Sequence, residues 1–231
     1  MIRFLCPFDP HRVRLLVFDL DGTLIDSRLD LIHSVNAMLR HIGRPELPGD
    51  LIASYVGDGA PVLVRRALGD ADINDEAFFR NALEYFLGYY RLHKLDHTAV
   101  YEGIPEVLAG VARPANGMQR LMAVLSNKPV NPSRDILRAL GLGDFFVCVY
   151  GGNSFTTKKP DPLGVRTILE ETGVAADEAL IIGDSSVDVL TGRNAGLWTC
   201  GVTYGFAPHS LEEVPPDVVI ERPRELGELL R

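Results

Sequence analysis

The chain has 231 residues, enough for one α/β domain or for a core that carries a smaller insert. Its hydrophobic fraction of 46% supports a buried core. A formal net charge of −8 argues against nucleic acid or an anionic membrane as the main partner, but not against a small anionic substrate held by local positive charge. The three cysteines, Cys6, Cys148 and Cys200, are too few and too far apart for a disulfide framework or a thiolate metal site. Their apolar neighbours predict small buried side chains, and their scarcity predicts a reducing, cytoplasmic setting. No stretch approaches membrane-spanning length, and the N-terminal apolar patch is broken by Pro7 and Pro10.

The first strong element is a strand over residues 14–19, where Leu15-Leu16-Val17-Phe18 runs without a polar break. Such a run suits a parallel strand buried on both faces. It stops at Asp19-Leu20-Asp21-Gly22-Thr23. Asp26-Ser27 then offers a helix start, and Leu29, Ile32, Val35, Leu39 and Ile42 recur at helical spacing until Gly43 and Pro45. Pro61 sits in the first turn of a second helix that ends near Gly69. Phe78, Leu83, Phe86, Leu87 and Tyr90 mark a third. Residues 26–97 therefore read as an α-helical cap inserted into an α/β core made of residues 1–25 and 98–231.

Strands and helices alternate in the remainder. Leu121–Leu125 is a buried strand ending at Ser126-Asn127, and Asn131-Pro132 opens the helix after it. Residues 145–150 form a third strand, followed by Lys158-Lys159-Pro160 and another helix. Ala179–Ile182 is a fourth strand, ending at Gly183-Asp184-Ser185-Ser186-Val187-Asp188. Residues 198–202 and 218–220 supply two more. The fold class is α/β, a doubly wound and mostly parallel sheet.

Polar groups therefore collect where strands end: Asp19 and Asp21, Ser126, Lys159, then Asp184 and Asp188. Ligands of open α/β sheets bind at the carboxyl ends of strands. Paired acids, a hydroxyl, a cation and further acids for a hard metal are what phosphoryl transfer requires. Each group has a plainer use as well. Asp-Gly is a common turn, and an acid in a first helical turn is favoured by the helix dipole alone.

Asp19-Leu20-Asp21-Gly22-Thr23, Ser126-Asn127, Lys159-Pro160 and Gly183-Asp184-Ser185-Ser186-Val187-Asp188, in that order, resemble the four motifs of the haloacid dehalogenase-like superfamily. The resemblance covers nearly the whole chain and implies a Rossmann-like core with a small helical cap. It implies that Asp19 is the nucleophile that accepts a phosphoryl group as an aspartyl phosphate, and that Asp21 protonates the leaving oxygen. Ser126, with Asn127, binds the phosphoryl oxygens, and Lys159 neutralises charge beside them. Mg²⁺ is the implied cofactor, held by Asp19, Asp184 and the Asp21 backbone carbonyl. Asp188 and Thr23 stand behind these groups, Asp188 orienting Lys159 or a metal-bound water.

The second acid, Asp21, favours phosphatases and mutases over dehalogenases. Tyr55-Val56-Gly57-Asp58-Gly59-Ala60 with the helix after it, and Gly201-Val202-Thr203-Tyr204-Gly205-Phe206, are similar to stretches of phosphoglycolate phosphatases. Asp58 and Ala207 depart from that pattern, and an acid at 58 could repel a carboxylated substrate. On a helical wheel Leu63, Val64, Ala67 and Leu68 share one face, with Arg66 at its flank as a candidate substrate contact. The expected activity is Mg²⁺-dependent hydrolysis of 2-phosphoglycolate. The alternatives are another small phosphate (a sugar phosphate, a nucleotide or pyrophosphate) and a sugar-phosphate mutase. The expected partner is a small anionic phosphomonoester, with no nucleic acid or membrane, and the chain is a monomer or homodimer.

Overall fold

The computed structural model describes residues 1–69, 75–112 and 119–231. In chain order the elements are β1 (Arg3–Phe4), β2 (Leu15–Phe18), β3 (Ile25–Asp26), α1 (Arg28–His41), α2 (Gly49–Ala53), α3 (Ala60–Leu68), α4 (Glu76–His93), β4 (Ala99–Val100) and α5 (Ile104–Ala112). There follow β5 (Leu121–Leu125), α6 (Val130–Ala139), β6 (Cys148–Tyr150), α7 (Leu163–Thr172), β7 (Ala179–Gly183), α8 (Ser186–Ala195), β8 (Trp198–Val202), α9 (Ser210–Glu213), β9 (Val218–Ile220) and α10 (Pro223–Leu229). The chain divides into two compact units, Met1–Ile25 with Val100–Arg231, and Asp26–Ala99. The short β3 and β4 mark where the chain passes from one to the other.

The first unit holds a seven-stranded sheet in the order β1-β9-β8-β7-β2-β5-β6. All pairings are parallel except β1 with β9. β2 lies between β5 and β7, with Phe18 level with Val124 on one side and Ile182 on the other. The winding direction reverses beside β2, so the switch point falls at the ends of β2, β5 and β7. Both faces of the central strands are covered, which explains their unbroken apolar runs. Leu16, Phe18, Val124, Leu180 and Ile182 pack with residues of α5, α6 and α10 on one face. Leu15, Val17, Ala123, Leu125 and Ile181 pack with residues of α7 on the other. Each fully buried Leu or Phe adds about 1.5–3 kcal/mol to folding.

Several local expectations are corrected. β2 covers only Leu15–Phe18, and the third predicted strand shortens to Cys148–Tyr150 because Gly143–Phe145 is a 3₁₀ turn. The helix expected to open at Asn131-Pro132 starts at Val130, whose N–H donates to Asn153 Oδ1. The helix α1 does open at Asp26-Ser27 as expected, with Asp26 Oδ1 accepting from the N–H of Arg28. Cys200 is buried, but Cys6 is exposed. Arg3–Phe4, unmarked in the sequence, forms an edge strand against Val218–Val219.

The second unit is helical between its two short end strands. α1 packs on α4, burying Leu31, Val35, Met38 and Leu39 with Phe79, Ala82, Phe86 and Tyr90. Leu63, Val64, Ala67 and Leu68 are the buried face of α3. The unit's two ends are joined through Asp30, which is buried in α1. Its Oδ2 accepts from the N–H and hydroxyl of Thr98 at 2.8 and 2.7 Å, and its Oδ1 accepts from the N–H of His97 at 3.0 Å and pairs with His97 Nδ1 at 2.9 Å. Among the described residues no helix is long and apolar enough to cross a membrane.

Burial alone would raise the Asp30 pKa, but the hydrogen bonds from Thr98 and His97 outweigh it and hold the carboxyl below its usual range. A depressed folded-state pKa contributes stability above the unfolded value, near 3.9, and that contribution is lost as pH falls through the folded value. Asp30→Asn should therefore cost about 2 kcal/mol near neutral pH, because an amide cannot accept all these donors. Thermal unfolding followed from pH 7 down to pH 3 should show the variant losing less stability on acidification than the wild type.

Candidate active site

Asp19 directly follows β2, and its N–H donates to the carbonyl of Ile182 on β7. The sheet therefore extends one bond past the strand and fixes the first acid. Asp19 is buried, and Lys159 Nζ forms an ion pair with its Oδ1 at 2.8 Å. The same ammonium donates to Asp188 Oδ1 at 2.6 Å. Asp188 belongs to the first turn of α8 and closes a capping box there, its Oδ2 accepting from the N–H and hydroxyl of Ser185. One acid thus caps a helix and holds a lysine.

Lys159 arrives on the loop between β6 and α7. Its main chain is clamped by Asn127, whose Nδ2 donates to the Lys159 carbonyl at 3.2 Å and whose Oδ1 accepts from the Lys159 N–H at 3.0 Å. The Asn127 side chain is committed to this task. Ser126, at the end of β5, is buried, and its Oγ accepts from the Lys128 N–H. Lys158 is exposed.

Asp184 follows β7 and is buried. Its Oδ2 accepts from the backbone N–H groups of Phe206 at 2.5 Å and Ala207 at 3.3 Å. Two glycines permit this approach. A Cβ on Gly22, whose φ is +82°, would stand 2.3 Å from Asp184 Oδ2, and one on Gly205 would stand 2.2 Å from Asp184 Cβ. Thr23 is buried with its hydroxyl unpartnered among the described residues, and its carbonyl accepts from the Tyr204 hydroxyl.

Burial pushes the Asp19 carboxyl up to about 6, with Asp188 and Asp21 adding to the rise and Lys159 opposing it. Burial pushes Asp184 further, to about 8, with repulsion from Asp188 and Asp19 against the two backbone N–H groups. Burial would lower Lys159, but Asp188 and Asp19 outweigh it and hold the ammonium charged.

Asp19, Asp184 and Asp188 each offer a carboxylate oxygen within 4.8 Å of the others. The donor set is oxygen only, as a hard divalent cation requires. Asp188 is already engaged by Lys159 and Ser185, and Asp19 Oδ1 faces the Lys159 ammonium, which leaves Asp184 and the other oxygen of Asp19 for a cation. These residues fit Mg²⁺, which keeps most of its shell for waters and substrate oxygens.

Asp21 is partly buried, and Lys128 Nζ donates to both its carboxylate oxygens, at 2.9 and 3.0 Å. Sequence reading passed over Lys128, which is nearly as buried as Lys159. Its only sequence signal is its place directly after Ser126-Asn127. The backbone donors of Phe206 and Ala207 carry no residue-type signal at all. Arg66 belongs to the helical unit. It donates to the Tyr55 carbonyl at 3.0 Å and pairs with Asp58 at 2.6 Å, so the acid at 58 is neutralised within its own unit.

The model of the haloacid dehalogenase-like hydrolases matches residues 16–202. A phosphoglycolate phosphatase of Pseudomonas syringae pv. tomato is 37% identical over 217 residues, covering 92% of this chain and 78% of that protein. One of Neisseria gonorrhoeae is 35% identical over 228 residues, covering 96% and 94%. The crystal structure of a predicted phosphoglycolate phosphatase from Haemophilus somnus superposes with a TM-score of 0.88 at 27% identity, covering 95% of this chain and 99% of that one. With a matching family model, close relatives and a shared fold, this chain belongs to the haloacid dehalogenase-like hydrolase family.

Proposed function

We propose that the chain is a Mg²⁺-dependent phosphomonoester hydrolase acting through an aspartyl phosphate on Asp19, with 2-phosphoglycolate as its substrate. The observation that carries the chemistry is the buried Asp19–Lys159–Asp188 array at the switch point, with Asp184 within metal-ligand distance of it. The substrate rests on the relatives, which carry the name phosphoglycolate phosphatase across more than nine-tenths of this chain.

In this reading an Asp19 carboxylate oxygen attacks phosphorus as the bond to the glycolate oxygen breaks. Asp21 gives that oxygen its proton. Water then attacks the phosphoryl group, Asp21 takes the water's proton, and the bond to Asp19 breaks to release phosphate. Lys159 holds Asp19 in line and offsets the charge gathered on the phosphoryl oxygens, and Asp188 fixes that ammonium. Ser126 donates its hydroxyl to a phosphoryl oxygen. Mg²⁺, held by Asp19, Asp184 and the Asp21 carbonyl, would supply charge neutralisation for the phosphoryl oxygens. Thr23 supports the turn that carries Asp21.

Lys128 has a positioning role here. The incoming phosphate dianion competes for its ammonium, which frees the Asp21 carboxyl to face the leaving oxygen. The inserted helical unit serves as the cap and selects the substrate. Arg66, paired with Asp58, contacts the substrate only if that pair opens.

Phosphate release from a panel of phosphoglycolate, sugar phosphates, nucleotides and pyrophosphate tests the reading. Phosphoglycolate should lead the panel, and Asp19→Asn should lower turnover by about 10³-fold or more with the fold intact. A lead for a sugar phosphate or a nucleotide would keep the chemistry and overturn the substrate. Chelation should abolish turnover and Mg²⁺ should restore it. Added Mg²⁺ should raise the melting temperature of the wild type but not of Asp184→Asn. Lys128→Met should lower kcat by about 10–100-fold, as loss of a supporting partner commonly does, with a smaller change in KM and partial rescue by Lys128→Arg.

A further inference from the structure

A second cluster of metal-ligating groups lies wholly inside the helical unit. Asp30 and His33 stand three residues apart on α1, so they share a face of the helix. His97 comes from the segment after α4. One carboxylate oxygen and one nitrogen from each imidazole lie within 4.8 Å of one another. We propose that Asp30, His33 and His97 form a binding site for a borderline divalent transition cation such as Zn²⁺ or Ni²⁺, separate from the oxygen-only site of the core.

The chemistry follows from the donor set. Two imidazoles and one carboxylate favour Zn²⁺, Co²⁺ or Ni²⁺ over Mg²⁺, which takes oxygen donors. One ligand is already fixed, because Thr98 and the His97 N–H hold the buried Asp30 carboxylate in a single orientation. His97 Nδ1 stands 2.9 Å from Asp30 Oδ1. Two ligand atoms at the usual ~2.1 Å from one tetrahedral cation are about 3.4 Å apart, so this pair needs to open by only about half an ångström to admit one. A cation can therefore take the place of the proton that this pair shares, and the proton passes to solvent. The His33 ring meets the His97 ring edge-on, with centroids 5.0 Å apart and planes at 81°. Among the described residues His33 forms no hydrogen bond, and it is exposed, so its imidazole can turn to complete the set without breaking a hydrogen bond. Both histidines face solvent, which leaves the remaining coordination positions to water.

The site would join the first turn of α1 to residue 97, across the same junction that the hydrogen bonds of Asp30 already hold. The cation is thus a reinforcement of the unit's closing contact, and the site needs nothing from the catalytic residues.

Titration calorimetry and thermal unfolding of the full chain with zinc chloride, at saturating Mg²⁺, test the proposal. The wild type should bind one equivalent of Zn²⁺ that Asp184→Asn retains. His33→Ala should bind it about 10–100-fold more weakly and lose the rise in melting temperature, with its Mg²⁺-dependent phosphatase activity unchanged. With Co²⁺ in place of Zn²⁺, visible absorption from nitrogen ligation should appear in the wild type and fade in His33→Ala. Zn²⁺ binding that survives His33→Ala at full strength, or that disappears in Asp184→Asn, would overturn it.

Discussion

The buried ammonium of Lys159 ties the core together at the end of its central strand. Removing a charge from water costs several kcal/mol per ion even after relaxation, so the group persists only where partners compensate it. Asp19 and Asp188 do so from two sides, at 2.8 and 2.6 Å. Each partner is fixed by an element of the fold: Asp19 by the sheet bond to β7, Asp188 by the capping box of α8. Asn127 fixes the lysine's own main chain. Two strand ends, a helix start and a loop are therefore held in register by one charge.

The consequence is an excess of acid. With Lys159 shared, Asp19 and Asp184 remain crowded in a buried space, and both are pushed toward neutrality. A divalent cation relieves this crowding, since it favours the ionised form of each ligand. The glycines at 22 and 205 belong to the same arrangement. They let two loops close on Asp184 so tightly that no side chain fits, and the carboxylate is aimed by main-chain donors instead of by a partner side chain.

The helical unit repeats the pattern on its own scale. Its closure rests on a buried acid, Asp30, satisfied by donors from residues 97 and 98. Two arginines of α3 are drawn into local pairs: Arg65 to Glu76 and the face of Phe79, Arg66 to Asp58. Exposed pairs of this kind contribute about 0–1 kcal/mol each, so they orient side chains more than they hold the unit together.

The sequence by itself determined the elements and the positions of most polar groups, because these are set by neighbours a few residues apart. Four apolar residues before Asp19 specify a strand buried on both faces, and Leu63, Val64, Ala67 and Leu68 specify the buried face of a helix. Asp19, Ser126 and Asp184 were legible because each directly follows such a strand. Only the tertiary structure decided what these groups touch. Lys128 reaches Asp21 across 107 positions, Asp30 reaches Thr98 across 68, and Arg3–Phe4 becomes a strand only because β9 is beside it. The N–H groups that aim Asp184 are common to every residue but proline, so no pattern marks them. Contacts of this range depend on how the whole chain closes, and local propensity and periodicity do not reach that far.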